Sequence, residues 1–390
     1  MRRTVKDLIV EIKDTTELVV DLAYSALLFD NEDIAEEVLE LEDKILNLLR
    51  QIRIVCILAA RRVDEAESVS SILQIADAAH RIGNAAGDIA SLVLRGFKLP
   101  REFVNLILYY SEETSVKAVV SENSEIANRT LGEVKLHTRT GMRVIAIKRG
   151  FEWIFNPDRD TKILIGDVLF ARGDVEGIPK FFELVTGKPV EIGDMKIEIE
   201  IEDLDNAVDT VIEMKNLSEL AVDLSYSSVL YYNEDIAQEV AYLEERIDNM
   251  KYDLQHWVLK SSRHFEKIKP LITLLDLANA SEQIADSAKE IAEIVLQKQE
   301  IHPIFKEAMR ETDEIITLIE VGKRSKLDGK TLGETKVETT TGMHIIAVKR
   351  GKKWIVNPKA TTKIHAGDLL IAKGTREGEE LLKKLCRSPK

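Results

Sequence analysis

The sequence predicts a multidomain chain of mixed α and α+β class, in which an antiparallel helical bundle followed by a small α+β module is written twice. Two observations predict it. The first is internal repetition: Asp21-Leu22-Ala23-Tyr24-Ser25 returns as Asp223-Leu224-Ser225-Tyr226-Ser227, and Asn31-Glu32-Asp33-Ile34-Ala35 as Asn233-Glu234-Asp235-Ile236-Ala237, both shifted by 202 positions. Further on, Thr130-Leu131-Gly132-Glu133 returns as Thr331-Leu332-Gly333-Glu334, Thr140-Gly141-Met142 as Thr341-Gly342-Met343, and Asn156-Pro157 as Asn357-Pro358, shifted by 201. So long and nearly constant an offset is a domain duplication, not a solenoid of short repeats. The second observation is a change of hydrophobic period inside each copy, from steps of three and four to short alternating runs.

In the first part of each copy, Ile12, Thr15, Val19, Leu22 and Ala26 form one seam. Ile34, Val38, Leu41, Ile45, Leu48, Ile52, Val55 and Ala59 form a second, matched by Ile236, Val240, Leu243, Ile247, Met250, Leu254 and Trp257. Such near-heptad spacing predicts long antiparallel helices. A third seam is small, running Ile72, Ala76, Ala79, Gly83, Ala86, Ala90 and again Leu274, Ala278, Ser281, Ala285, Ala288, Ala292, which lets helix axes approach closely. A fourth helix is expected after Pro100 and after Pro303. In the second part, Val116 to Val120, Arg143 to Lys148 and Val168 to Ala171 read as strands and Gly177 to Val185 as a closing helix. The order repeats at Ile315 to Val321, His344 to Lys349, Leu369 to Ala372 and Glu377 to Leu385. The predicted boundaries are 1–113 and 206–314 for the bundles and 114–188 and 315–390 for the modules. A linker, 189–205, contains the alternating run Lys196 to Glu202, which reads as an edge strand.

Composition narrows the function class. Of 390 residues, 45% are apolar, 31% charged and 5% aromatic, a globular balance suited to helix packing by aliphatic and small residues. A net charge of −14 argues against a surface built for nucleic-acid phosphates or anionic lipid headgroups. No uncharged run approaches the ~18 residues of a membrane-spanning helix, and Met1 to Asp14 lacks an apolar signal core. Cys56 and Cys386 are the two cysteines, too few for a disulfide framework or a cysteine-rich zinc site. A cytoplasmic protein without direct membrane insertion is expected. No G-x-S-x-G, phosphate-binding loop or H-E-x-x-H is present, so no enzyme is expected. Cys56 and Trp257 read as core, and Trp153 and Trp354 as packing inside the modules.

With these motifs in view, the helical part resembles a PhoU-type domain, the fold of phosphate-uptake regulators, whose acidic E-x-x-x-D motifs bind metal clusters. The α+β part resembles the C-terminal regulatory module of TrkA-type potassium-transport subunits, often called RCK-C. The pattern T-L-G-E, then G-x-x-V-x-A-I-x-R-G, N-P and G-D-x-L is carried by Thr130 to Glu133, Gly141 to Gly150, Asn156-Pro157 and Gly166 to Leu169. It recurs at Thr331 to Glu334, Gly342 to Gly351, Asn357-Pro358 and Gly367 to Leu370. The resemblance covers nearly the whole chain. The dinucleotide-binding half of a complete TrkA subunit is missing, since no G-x-G-x-x-G lies between a strand and a helix, so NAD(H) is not expected.

Two constellations stand out as candidate sites. Glu244 and Asp248 sit four apart on the predicted second helix of the second bundle, and Glu282 and Asp286 four apart on its third, so each pair shares a helix face. Four-spaced acidic pairs arise by chance roughly a dozen times in so acidic a chain. These two border the seams directly, and oxygen ligands from two helices suit a divalent metal. Glu282 to Asp286 also matches the PhoU motif. The first bundle has Glu42 with Leu46 and His80 with Asn84 instead, a half-erased version. The second constellation is Arg149, Asn156 and Pro157 with Arg350, Asn357 and Pro358. Some RCK-C members bind a cyclic dinucleotide near these stations, and Arg offers phosphate a planar fork of donors. Arg-Gly and Asn-Pro are also ordinary turn chemistry.

The resemblance implies a cytosolic regulatory subunit of a cation transport system, most plausibly potassium. Its paired RCK-C modules would sense a cyclic dinucleotide or another small anionic ligand. The channel or transporter would be a separate polypeptide, and the modules would pair within one chain or between chains. A PhoU-type regulator of phosphate uptake holding a metal, a non-sensing dimerisation scaffold and a carboxylate-based hydrolase are the alternatives.

Overall fold

The structure, a computed structural model, describes residues 3–59, 63–111, 113–188, 190, 202–264 and 268–388. Helices α1 (Val5–Phe29), α2 (Glu32–Ala59), α3 (Val63–Leu94) and α4 (Arg101–Tyr110) lead into β1 (Glu113–Val119). Then come α5 (Leu131–Val134), α6 (Leu136–Thr140), β2 (Met142–Arg149), β3 (Glu152–Phe155), β4 (Val168–Asp174) and α7 (Ile178–Thr186). The second copy repeats the helices as α8 (Glu202–Tyr231), α9 (Glu234–Ser261), α10 (Lys269–Leu296) and α11 (Ile304–Ala308). Its module follows as β5 (Ile315–Glu320), α12 (Leu332–Thr335), α13 (Val337–Thr341), β6 (Met343–Arg350), β7 (Lys353–Val356), β8 (Leu369–Gly374) and α14 (Arg376–Cys386). The chain divides into two compact units, a helical one from Met1–Ser111 with Ile197–Asp313 and an α+β one from Glu112–Lys196 with Glu314–Lys390. Like halves of the two copies therefore associate, bundle with bundle and module with module.

In the helical unit the repeated Asn-Glu-Asp-Ile-Ala motif is a helix start. The side chains of Asn31 and Asn233 each accept the amide three residues on, at 3.0 Å, and two acids follow in the positive first turn. The seams are buried as expected through Ile52 and Leu254, except at Met250, which is half-buried. Beyond these they drift: Cys56 and Val258 take the core positions, while Ala59 is exposed and Val55 and Trp257 are half-buried. The expected continuation through Ala59 and Trp257 is thus corrected by a one-residue slip, because a helix of 3.6 residues per turn does not hold a strict heptad line for long. The small seam allows what it promised, with a Cβ on Gly83 meeting Ile45 Cδ1 at 3.0 Å. The fourth helix is ten residues in the first copy but five in the second. The edge-strand run lies mostly outside the described residues, and Glu202, its last residue, starts α8 instead.

Helices α3 and α10 join the two bundles in opposite directions: Gln74, early in α3, donates to the Glu290 carbonyl, late in α10, at 2.5 Å. Behind them α1 and α8 exchange a reciprocal contact across the same dyad. Lys13 Nζ lies 5.8 Å from the Tyr226 ring centre, and its counterpart Lys215 lies 5.1 Å from Tyr24. Each lysine also binds the glutamate one turn on, Lys13 to Glu17 at 2.8 Å and Lys215 to Glu219 at 2.9 Å. Both lysines are buried, so their charge is held by these carboxylates and the ring faces in a region with little water. Removing a buried ammonium weakens the compensation of the carboxylate it binds. Lys13→Met should therefore lower stability by about 3–5 kcal/mol, and Lys13→Met with Glu17→Gln by less, since the second change removes the carboxylate that lost its lysine. Urea unfolding followed by far-ultraviolet circular dichroism measures both.

Each module is a four-stranded antiparallel sheet, ordered β1-β4-β2-β3 and β5-β8-β6-β7. The hairpin strands β3 and β7 and the short helices after Thr130 and Thr331 escape the sequence reading, being only four or five residues long. Leu169, Ile147 and Phe181 centre one core, and Leu370, Val348 and Leu382 the other, with Cys386 buried as a free thiol. Trp153 and Trp354 are half-buried rather than core, each under a lysine, with Lys148 and Lys349 Nζ at 4.9 and 5.2 Å from the ring centres.

The shared motifs turn out to be scaffold. T-L-G-E is a capping box: the Thr130 hydroxyl accepts from the Glu133 amide at 3.3 Å, and the Glu133 carboxylate accepts from the Thr130 amide at 2.9 Å. Thr331 and Glu334 repeat it. The R-G and G-D motifs meet. Arg149 forks onto Asp167, Nε to Oδ1 at 2.9 Å and Nη2 to Oδ2 at 2.8 Å, and also donates to the Lys162 carbonyl at 2.7 Å. Arg350, Asp368 and Lys363 do the same at 2.9, 2.7 and 2.6 Å. Asp167 is 1% exposed, so its charge depends on that fork. Arg149→Ala should destabilise the first module by about 3 kcal/mol or more, and Arg149→Lys should recover little, because an ammonium cannot make two parallel bonds. Thermal unfolding of the variants checks this.

Candidate functional site at the junction of the two modules

The two modules meet through α6 and α13, which lie against each other. The approach is close: a Cβ on Gly342 would come within 2.9 Å of the Thr138 Cα, and the φ of +68° there suits glycine. Thr138 and Thr375 hydroxyls are 3.4 Å apart, and Lys135 pairs with Glu377 across the junction. Glu314 is gripped from both modules, by Lys373 at 3.5 Å, Arg143 at 3.6 Å and His137 at 3.8 Å. Burial opposes its ionisation, but Lys373, Arg143 and His137 outweigh that and hold its carboxyl well below the usual range. Burial in turn pushes the His137 imidazole down, against the attraction of Glu314.

Beside this contact opens a cavity of about 210 Å³. Asp174 and Glu176 of the first module line it together with Lys336, Glu338, His344, Asn357, Pro358 and Lys359 of the second. Local structure aims these groups. Asp174 caps a short 3-10 turn, accepting the Glu176 amide at 2.9 Å. Glu338 lies in α13, and its carboxylate meets His344 Nδ1 at 3.0 Å. Lys336 and Asn357 both take left-handed φ, +46° and +50°, at the turns that bracket the cavity. Burial, then the nearby charge of Glu338, push the Asp174 carboxyl up to about 7. The cavity thus offers ammonium groups and an amide for an anionic ligand, and carboxylates that accept from its N–H groups.

The sequence-predicted ligand residues separate here. Asn357 and Pro358 line the cavity. Arg149 and Arg350 do not: their guanidinium forks are committed to Asp167 and Asp368, which corrects the expectation that they present donors to a ligand. Asn156 sits at φ +43°, the turn geometry its Asn-Pro pair suggested, and accepts from Arg143 at 3.2 Å. Pro157 follows it, half-buried. Asp174, Lys336, Glu338 and His344 were missed. For three of them the signal is difference between the copies: a shift of 201 pairs His344 with Arg143, Glu338 with His137 and Asp174 with Thr375, whereas Lys336 matches Lys135.

The acidic candidates lie on α9 and α10 as the spacing predicts. Asp286 is pushed up to about 6 by burial and then by Glu282, Glu244 and Asp248, so the four carboxylates feel one another. Lysines hold two of them, Lys289 binding Glu244 at 2.8 Å and Lys251 binding Glu282 at 3.1 Å. Among the described residues no group of three or more His, Cys, Asp or Glu is placed to hold a metal ion. In the first bundle Glu42 packs onto Gly87, where a Cβ would meet its Oε2 at 2.1 Å. The position of Gly87 is that of Lys289 in the second copy, so the glutamate is covered by backbone in one copy and neutralised by an ammonium in the other. Burial lowers the His80 imidazole, which suits an interfacial histidine.

Comparison with known proteins follows the same division. The TrkA-C domain profile matches residues 116–186 and 316–387, and the PhoU domain profile matches 9–93 and 211–295. The chain is similar to Potassium channel protein 1 of Methanocaldococcus jannaschii, 31% identical over 86 residues, covering 22% of this chain and 26% of that protein. It is also similar to Ktr system potassium uptake protein C of Bacillus subtilis, 36% identical over 90 residues, covering 23% of this chain and 38% of that one. The matched stretches are thus well under half of either relative's length. Among solved structures, PhoU from Pseudomonas aeruginosa aligns with 75% of this chain and 93% of its own, at 15% identity and a TM-score of 0.41. PhoU and TrkA-C are regulatory, non-catalytic families. The chain carries two PhoU domains, each followed by a TrkA-C domain.

Proposed function

We propose that this protein is a regulatory subunit of a potassium-transport system, in which the two TrkA-C modules of one chain form a sensor for a small phosphate-bearing ligand. The observation that carries the reading is the cavity at the module junction, which Lys336, Lys359 and Asn357 line together with Asp174 and Glu338. The names of the two curated relatives supply the potassium context. No helix among the described residues is long and apolar enough to cross a membrane, so the pore is assigned to a separate polypeptide. The protein carries out no chemical step; its task is to bind and to shift an equilibrium.

For that, the ligand must favour one arrangement of the modules over another, since equal affinity for both would shift nothing. A coupling of about 1–3 kcal/mol, several-fold to about a hundredfold in affinity, is sufficient. The junction is suited to it, because a ligand there touches groups from both modules at once. Calorimetric titration of the full chain with cyclic di-AMP, cyclic di-GMP and ATP, each alone, tests the reading. At least one should bind, and Lys336→Ala should weaken it about tenfold by removing an ammonium–phosphate contact. The absence of heat with all three, in protein that melts cooperatively, contradicts the sensor.

A further inference from the structure

Helices α9 and α10 carry one pattern twice, Glu-x-x-x-Asp-x-x-Lys: Glu244, Asp248 and Lys251 on the first, Glu282, Asp286 and Lys289 on the second. Steps of four and three keep each set on one helix face. The helices pack together antiparallel, so the lysine late in each set comes level with the glutamate early in the other. Lys289 Nζ lies 2.8 Å from Glu244 Oε2, and Lys251 Nζ 3.1 Å from Glu282 Oε2, with both glutamates half-buried. The E-x-x-x-D pairs of PhoU imply a metal here, and these residues do not fit one: the glutamate oxygens that would turn to it are bound by ammonium groups. The first bundle supplies an internal comparison. At the positions of Asp248, Glu282 and Asp286 it has Leu46, His80 and Asn84, and at those of the two lysines it has Leu49 and Gly87. Acids and lysines are kept together in one copy and lost together in the other, as expected if the lysines serve the acids rather than the solvent.

We infer that Lys251 and Lys289 are built-in cations that take the place of a divalent metal between α9 and α10, so that the second bundle joins these helices through its own side chains. An ammonium is a compact charge with three donors, and it neutralises a carboxylate without requiring the several oxygen ligands in fixed geometry that a divalent ion needs. Each helix lends its lysine to the other, so the two bridges tie α9 to α10 as a shared ion would. The consequence is a latent metal site. Without the two ammonium groups, the facing helices present four carboxylates that have lost those counter-charges, a donor set suited to Mn2+. This inference does not depend on the sensor reading of the modules.

Calorimetric titration of the full-length, chelator-stripped protein with Mn2+, paired with thermal unfolding in EDTA and in millimolar Mn2+, tests this. The unaltered chain should bind no stoichiometric Mn2+ and should melt at the same temperature in both. Lys251→Ala with Lys289→Ala, changes that suit a helix, should bind Mn2+ about tenfold or more tightly than the unaltered chain and melt higher in Mn2+ than in EDTA, because an ion held by the native state alone stabilises it. Adding Glu244→Gln and Glu282→Gln should abolish the gain while leaving a folded, metal-indifferent chain. Lys289→Ala alone gives the same gain at smaller amplitude and serves if the double variant does not fold. Stoichiometric Mn2+ on the unaltered chain, or no gain in Mn2+ affinity when the lysines are removed, overturns the inference.

Discussion

The close contact of α6 with α13 is the constraint on which the α+β unit depends. It brings the Thr138 backbone against Gly342, where a side chain would collide, and from that contact follow the Lys135–Glu377 pair, the grip of Arg143 and His137 on Glu314, and the cavity that Asp174 and Glu176 line with Lys336 and Glu338. Neither module has the cavity alone. A binding site built from two copies of one module is ordinary in symmetric dimers; here both copies lie on one chain, so their association needs no second molecule and cannot be diluted away.

The helical unit obeys a parallel rule with different chemistry. Its two bundles also meet by like faces, through α3 and α10, and bury Lys13 and Lys215 reciprocally beside Tyr226 and Tyr24. Buried ion pairs are weak sources of stability, because desolvation offsets much of their attraction. What the reciprocal contact does supply is a matched pair of polar groups inside an otherwise aliphatic unit.

The duplication, both fold classes and the seams through Ile52 and Leu254 were legible because each rests on a period that many residues repeat. The ends of the seams were not, since the drift that swaps Val55 for Cys56 is smaller than one helical turn. The site was legible only in part. Repeated motifs drew attention to Thr130, Glu133, Arg149 and Asp167, yet these close a capping box and a buried fork, the work any copy of the module must do to fold. The cavity is lined both by positions the copies share, such as Lys336 and Asn357, and by positions where they differ, such as His344 against Arg143 and Lys359 against Asp158. Comparison of the repeats therefore points to the scaffold and to part of the cavity. The acidic pairs show the limit of spacing alone, because Lys289 and Lys251 reach them from positions no pairwise pattern would connect.

The central claim is that a ligand occupies the junction of the two modules. Hydrogen exchange of the full-length protein with and without a saturating amount of whichever probe binds, cyclic di-AMP, cyclic di-GMP or ATP, tests it directly, because the site is built from three separate backbone segments. Protection should rise together at 174–177, 332–338 and 357–360. Unchanged exchange at these segments, or protection confined to the helical unit, would contradict the account.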